Sequence, residues 1–419
     1  MSDRTNVLFT TSTMPSSDTD PVPAFVRDEA IWMKKCYPEL DITILAPHNA
    51  YNSVPEYAKH THYDEYRFHY FWPFRFEKLT GKGIQPALKK HKWLYIELPG
   101  LFIAEFFATW KLLRRGTYDV VYAHWFTPQA ITAALAAKLT NTPLVFDTQA
   151  SDAIVLKKLP LARKLVVGIC RQAVAYTAPS QQTLDKLLYF TDDSNRADVL
   201  SKLSMVPYGT SVPSIPRSDI TAVVKKYKLQ DKKILYFIGR LVDRKGVDFL
   251  IKSFAELYAK DPSLHLVIVG DGQMKDELVT LADSLNVTDS VLFTGFLTGK
   301  ERYGLLGAAT VCVIPSINVG DQSEGLPVVF MEAASIGKPV VLSNATGAHE
   351  VATDGKDAFI VTAGDTKSLT EGITRALRLL ASDANKVSRF TKNVMALGET
   401  FQWESIARRR YKALIERIR

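Results

Sequence analysis

The sequence predicts an α/β protein with two doubly wound parallel-sheet domains in series, ligand loops lying at the carboxyl ends of the strands. Three observations predict it. Short apolar runs alternate with helical stretches along nearly the whole chain. The alternation restarts after a Pro/Gly cluster, Pro207, Gly209, Pro213 and Pro216. The length of 419 residues exceeds what one core usually supports.

In the first half, Asn6 to Thr10 reads as a strand, Ala24 to Tyr37 as a helix and Asp41 to Ala46 as a strand. Strand Asp119 to Ala123, helix Pro128 to Leu139 and strand Leu144 to Asp147 follow. A helix at Leu161 to Ala173 leads to strands at Ala175 to Ala178 and Ser204 to Val206. The second half repeats the pattern. Strands are expected at Ile234 to Ile238, Leu264 to Val269, Val291 to Thr294, Val311 to Pro315, Val340 to Ser343 and Ala358 to Val361. Helices are expected at Val247 to Lys260, Lys275 to Asn286, Gly299 to Ala309 and after Pro327. Trp403 to Arg419 reads as a charged helix with apolar Ile406, Tyr411, Leu414, Ile415 and Ile418. The expected division is 1–210, 211–390 and a C-terminal segment, 391–419, that packs back across the junction.

Composition narrows the function classes. An apolar fraction of 47% and a mean hydropathy of −0.03 describe a globular protein. Cys36, Cys170 and Cys312 are far apart and form no CxxC or Cys/His cluster, which disfavours a disulfide framework or a cysteine zinc site and fits a reducing cytosol. The first residues, MSDRTNVLFTT, lack the basic and apolar regions of a signal peptide, and no run of 18 uncharged apolar residues could span a bilayer.

The net charge of +8 is unevenly placed. Arg67 to Arg115 holds ten Lys/Arg against three Glu, a balance of +7, interleaved with aromatics such as Trp72, Phe74, Trp93 and Trp110. Its middle, Trp93 to Arg115, is too apolar for a nucleic-acid groove. Two readings stay open: a long core helix with a basic flank, or a patch resting on anionic lipid, where each nearby Lys/Arg is worth about 1 kcal/mol.

The first strand runs into TSTMPSSDTDPVP with no GxGxxG, and Gly270-Asp271-Gly272 is too short a signal, so a dinucleotide-binding oxidoreductase is disfavoured. Ser323 to Val341 carries Glu324 and Glu332 around a Gly-Leu-Pro turn and a helix start. A helix N-terminus offers unpaired N–H groups and a positive dipole to a diphosphate, and the carboxylates can accept hydrogen bonds from sugar and ribose hydroxyls. An ordinary Pro-opened helix with two solvated Glu gives the same pattern. Gly239-Arg240 to Lys245-Gly246 follows a strand and precedes a helix. There Arg240 can grip a diphosphate as a planar fork and Lys245 as a point charge, although surface Arg/Lys loops are common.

Gly239-Arg240…Lys245-Gly246, followed by Glu324-Gly-Leu-Pro…Glu332, resembles the donor half of retaining GT-B glycosyltransferases of family 4. Val269 to Gly272, Thr294 to Ser316, Gly347 to Val361 and, in the first half, DVVYAHWFTPQAITAALAAKLTNTPLV extend the resemblance. It implies a GT-B fold, two Rossmann-like domains facing each other across a cleft, the first for acceptor and the second for donor. It implies that Arg240 and Lys245 neutralise the diphosphate and stabilise the leaving group. Glu332 would take the ribose hydroxyls. Glu324 would hold the donor sugar, with Gly325, Leu326 and Val328 N–H groups nearby; Pro327 has none to give. His124 would contact the transferred sugar. The nucleotide-sugar is then a substrate, with no cofactor and no metal required.

The departures lie in the first half. Asp18-Thr-Asp-Pro21-Val-Pro23 stands where relatives have a glycine-rich loop, Gln149-Ala150-Ser151-Asp152 where His-Gly precedes Ser-Asp, and Pro207-Tyr208-Gly209-Thr210 where Pro-Asn-Gly-Val is common. The leading expectation is a retaining transferase moving a sugar from a UDP- or GDP-sugar to a lipid-linked or polysaccharide acceptor, with peripheral contact to anionic membrane through 67–115. The alternatives are a GT-B-shaped binding subunit without acceptor chemistry and, more remotely, a nucleotide-sugar epimerase.

Overall fold

A computed structural model describes every residue except 1–3, 18, 19, 21, 23, 52, 53, 82, 150–153, 321–323 and 419, and leaves undescribed the side chains of 85, 86, 154 and 158. The chain forms two units. Met1–Gly209 and Trp403–Arg419 make the first, Thr210–Gln402 the second.

In the first unit the strands are β1 (Thr5–Thr10), β2 (Leu40–Pro47), β3 (Tyr57–Lys59) and β4 (Asp64–Phe68). They continue with β5 (Val120–His124), β6 (Leu144–Asp147), β7 (Ala175–Ala178) and β8 (Leu203–Met205). The sheet order is β3-β4-β2-β1-β5-β6-β7-β8, parallel except for β3, which runs antiparallel to β4. Alternation along the strands sorts side chains to two faces. Leu8, Val121 and Phe146 join one core, whereas Val7, Phe9, Val120 and Tyr122 join the other. Both faces are covered, which is why these strands are apolar almost throughout.

The second unit holds β9 (Lys233–Ile238), β10 (Leu264–Val269), β11 (Val291–Gly295), β12 (Val311–Ile314), β13 (Val340–Ser343) and β14 (Phe359–Val361). Its sheet is parallel in the order β11-β10-β9-β12-β13-β14. Again Leu235 and Phe237 face one core and Ile234 and Tyr236 the other.

The segment 391–419 is not one piece. Helix Ala384–Glu399 buries Phe390 and Val394 in the second unit, while helix Trp403–Arg410 and the turns after it bury Ile406, Leu414 and Ile415 in the first. Those apolar positions close the first sheet's second face, so the tail completes a core.

The basic aromatic window also differs from a single long helix. It opens in β4, passes through helix Ile84–Lys90 and a 3-10 stretch, Lys92–Glu97, and ends in helix Leu98–Leu113. Pro99 sits in the first turn of that helix, where a missing N–H costs nothing. Leu101, Glu105, Thr109 and Leu112 face the core, and Ile103 and Phe107 face outward. Arg67 is no surface charge. It is buried, 2.5 Å from Glu65 Oε1, and donates to the Met14, Pro15 and Pro47 carbonyls.

Candidate functional site

Three loops at the carboxyl ends of β9, β10 and β12 converge in the second unit. The loop after β9 carries Gly239, Arg240, Arg244 and Lys245 and turns into helix Val247–Tyr258 at Gly246. Gly246 has φ +62°, and a Cβ there would stand 2.1 Å from the Pro315 carbonyl oxygen. Only glycine allows this approach to the strand end of β12. The Gly270-Asp271-Gly272 turn has a structural reason of its own: at Gly270 a Cβ would meet the Gly239 carbonyl oxygen at 1.9 Å. These glycines let the loop backbones pack against one another.

Glu324 is the meeting point. One carboxylate oxygen accepts from Lys245 and the other from Ser316, with Arg244 Nη1 3.9 Å from the latter oxygen. Its main chain bridges Thr346, and its carbonyl accepts from Gly347 N at 3.0 Å, which ties the Gly325-Leu326-Pro327 turn to the loop after β13. Pro327 caps helix Val328–Ser335 in extended conformation, so the first N–H groups of that helix have no intrahelical acceptor. Val328 is exposed and Gly325 and Leu326 partly so.

Glu332 lies one turn into that helix and is buried. Its Oε2 is 2.5 Å from Arg302 Nη2, and its Oε1 accepts from the Tyr303 hydroxyl at 3.4 Å. Arg302 and Tyr303 belong to helix Gly299–Ala308. Arg240, by contrast, is exposed and makes no ion pair among the described residues. The structure therefore joins Lys245 to Glu324 and holds Glu332 on a partner of its own, while Arg240 stands open at the rim of the loop.

Arg244, Ser316, Arg302 and Tyr303 are site residues that sequence reasoning did not single out. Arg244 was adjacent to a named lysine, and Ser316 closes the Thr294 to Ser316 motif. Nothing local in the sequence marks Arg302 as the partner of Glu332, thirty residues on.

His124 ends β5 in the first unit and is fully buried against Phe9 and Tyr122. Its Nδ1 is 3.7 Å from Asp147 Oδ1. Burial holds the imidazole down at about 4, against the pull of Asp147, so it is neutral near pH 7. Asp147 itself belongs to a buried network. Arg410 Nη1 lies 2.8 Å from Glu29 Oε2 and 3.3 Å from Asp147 Oδ2, and donates to the Tyr122 hydroxyl at 2.6 Å. Tyr208, one of the departures from the family pattern, donates to Asp147 Oδ2 at 2.5 Å and lies under the Arg410 guanidinium. It is part of this network rather than a free linker residue. Gln149 is partly exposed just beyond β6. Asp18, Pro21, Pro23, Ala150, Ser151, Asp152, Asp321 and Ser323 lie outside the described residues.

Comparison with known proteins decides the family. A model described as glycosyl transferases group 1 matches residues 219–394, and one described as glycosyltransferase family 4 matches residues 52–201. The chain belongs to the GT-B glycosyltransferases of family 4. As a family-4 glycosyltransferase it draws on a nucleotide-sugar donor. It is 29% identical over 265 residues to a GDP-mannose-dependent alpha-(1-6)-phosphatidylinositol monomannoside mannosyltransferase of Mycolicibacterium smegmatis, covering 62% of this chain and 67% of that protein. It is 32% identical over 178 residues to an uncharacterized glycosyltransferase of Methanocaldococcus jannaschii, covering 42% of this chain and 43% of that one. In fold it is similar to Anabaena HepE solved with UDP, with a TM-score of 0.66 and 19% identity, over 98% of this chain and all of the other. No described helix of this glycosyltransferase is long and apolar enough to cross a membrane.

Proposed function

We propose that this family-4 glycosyltransferase moves a sugar, with retention of anomeric configuration, from a GDP- or UDP-sugar to a lipid-linked or polysaccharide acceptor at a membrane face. The observation that carries the reading is the Glu324 carboxylate held between Lys245, Arg244 and Ser316 at the mouth of a helix N-terminus. A diphosphate arriving there competes for the two cations and meets unpaired N–H groups, while Glu324 is released to accept from sugar hydroxyls. Arg240 adds a further cation from the rim. Glu332 accepts from the ribose, sharing its carboxylate with Arg302. His124 is neutral and fully buried in the first unit, so we give it no proton-transfer role.

The acceptor oxygen then bonds to the anomeric carbon on the face the phosphate leaves. The anomeric carbon–oxygen bond to phosphate breaks, and the acceptor proton passes to the departing phosphate. Arg240, Arg244 and Lys245 supply the charge stabilisation that a metal ion supplies elsewhere. Membrane contact rests on the first unit's exposed Trp72, Trp93 and Tyr95, 79%, 48% and 58% accessible, beside exposed Arg75, Lys90 and Lys92. The lipid acceptor named for the mycolicibacterial relative fits that surface.

A panel of UDP- and GDP-sugars incubated with membrane lipid extract tests the reaction. Acceptor-dependent release of nucleoside diphosphate, unchanged by added Mg2+ or Mn2+, is expected, with an α-linked product from an α-linked donor. Silence across the panel with nucleotide binding intact would replace this reading with that of a binding subunit. Flotation with anionic but not neutral vesicles, lost at high salt, tests the membrane contact.

A further inference from the structure

We infer that His48, His69 and Glu77 form a binding site for a zinc-class divalent cation in the first unit. His48 follows directly on β2 and His69 directly on β4, and these strands pair in parallel with Pro47 opposite Phe68. The register therefore sets the two histidines side by side at the carboxyl end of the sheet, their ring centroids 4.3 Å apart. His48 N–H also donates to the Phe68 carbonyl at 2.8 Å, which fixes the step between them.

Glu77 closes the site from the turn that follows. Its Oε1 accepts from the Tyr70 and Phe71 N–H groups at 2.6 and 3.1 Å, which anchors the carboxylate and aims Oε2 at the imidazoles. Oε2 stands 2.7 Å from His48 Nδ1 and 2.9 Å from His69 Nδ1, and the three ligand atoms lie within 4.8 Å of one another. Ligands on a tetrahedral zinc stand about 3.3 Å apart, so an ion needs the rings to open by roughly half an ångström. The carboxylate is buried, while the His48 and His69 side chains are 16% and 21% accessible, leaving a solvent side for water ligands.

Two imidazoles and one carboxylate are a donor set for Zn2+ and its late first-row neighbours rather than for Ca2+ or Mg2+. The outer partners fit as well. Glu56 Oε1 lies 3.5 Å from His69 Nε2, and Phe74 stacks on the His69 ring at 3.7 Å. When Nδ1 binds metal, the neutral ring carries its proton on Nε2, and a nearby carboxylate stabilises that tautomer. The ion ties together the two ends of His69–Glu77, the loop that presents Trp72, Phe74 and Phe76. Its ligands belong to the first unit and those of the nucleotide-sugar to the second, so the proposal stands apart from the transfer reaction.

The test uses the full chain, stripped with chelator and dialysed against Zn2+ in a weak competing chelator, with retained zinc counted by mass spectrometry. One equivalent is expected, with affinity falling at least about tenfold in both His48→Gln and His69→Gln. His60→Gln, which alters a different His–Glu pair with Glu65, retains wild-type binding. Sub-stoichiometric zinc, or wild-type retention in His48→Gln and His69→Gln, would overturn the site and leave Glu77 as a hydrogen-bonded carboxylate only. Co2+ titration of the unmodified chain gives a reading free of folding effects. A saturable visible absorption that Zn2+ abolishes is expected, and its absence counts equally against the proposal.

Discussion

The Lys245 ammonium donates to one oxygen of Glu324 while the Ser316 hydroxyl donates to the other, although Lys245 and Glu324 are 79 residues apart. Two loops from the carboxyl ends of adjacent strands thus share one carboxylate, and each group is preset for an incoming anionic ligand.

Lys245→Ala, Glu324→Ala and Arg240→Ala are each expected to lower turnover at least about tenfold, or about 1.4 kcal/mol of barrier. Because Lys245 and Glu324 touch, the Lys245→Ala/Glu324→Ala double variant should lose less than the sum of the two single losses, whereas Arg240→Ala should add. Steady-state rates with a competent donor check this; wild-type rates in all three variants would remove the assignment.

Arg302→Ala leaves the Glu332 carboxylate buried without its guanidinium. Removing one member of such a pair costs about 3 kcal/mol or more. The unfolding midpoint in urea should fall, and nucleoside diphosphate should bind more weakly because Glu332 is no longer aimed. Calorimetry showing unchanged nucleotide affinity at reduced stability would confine Arg302 to a structural role.

Arg410 is the largest fully buried side chain of the described residues and faces Glu29 and Asp147. Burial pushes the Glu29 carboxyl up to about 7 even with Arg410 pulling it down. Arg410→Ala is expected to destabilise the first unit by about 3–5 kcal/mol. Because the residue belongs to the C-terminal helix, truncation before Trp403 should be at least as damaging. Denaturant unfolding measures both, and a stable truncated chain would contradict the tail's part in the core.

Glu105 is buried in helix Leu98–Leu113, its carboxyl accepts from Gln129 at 3.0 Å, and burial pushes it up to about 8. The folded state therefore holds a proton that the unfolded chain releases at about 4.5. The Glu105 contribution is full below that value. It falls as pH rises toward 8, with a slope of about 1.4 kcal/mol per unit. Glu105→Gln should flatten the decline in stability between pH 5 and pH 8, read from unfolding midpoints across that range. An equal slope in both proteins would refute the assignment.

The sequence by itself determined most of the parallel strands and the helices between them, because those signals are local. Strand runs such as Leu144 to Asp147 and Leu264 to Val269, the Pro327 helix start and the Arg/Lys loop after a strand all declare themselves within a few residues. The short strands β3 and β4 went unread, since three to five residues with charged or aromatic side chains carry no clear period. Only the tertiary structure decided which polar groups meet. Sheet order and register are set by burying whole faces, and they bring Glu324 to Lys245, Glu332 to Arg302, Arg410 to Glu29 and Asp147, and His48 to His69. Such meetings depend on the packing of every strand between the partners, and no local pattern records them.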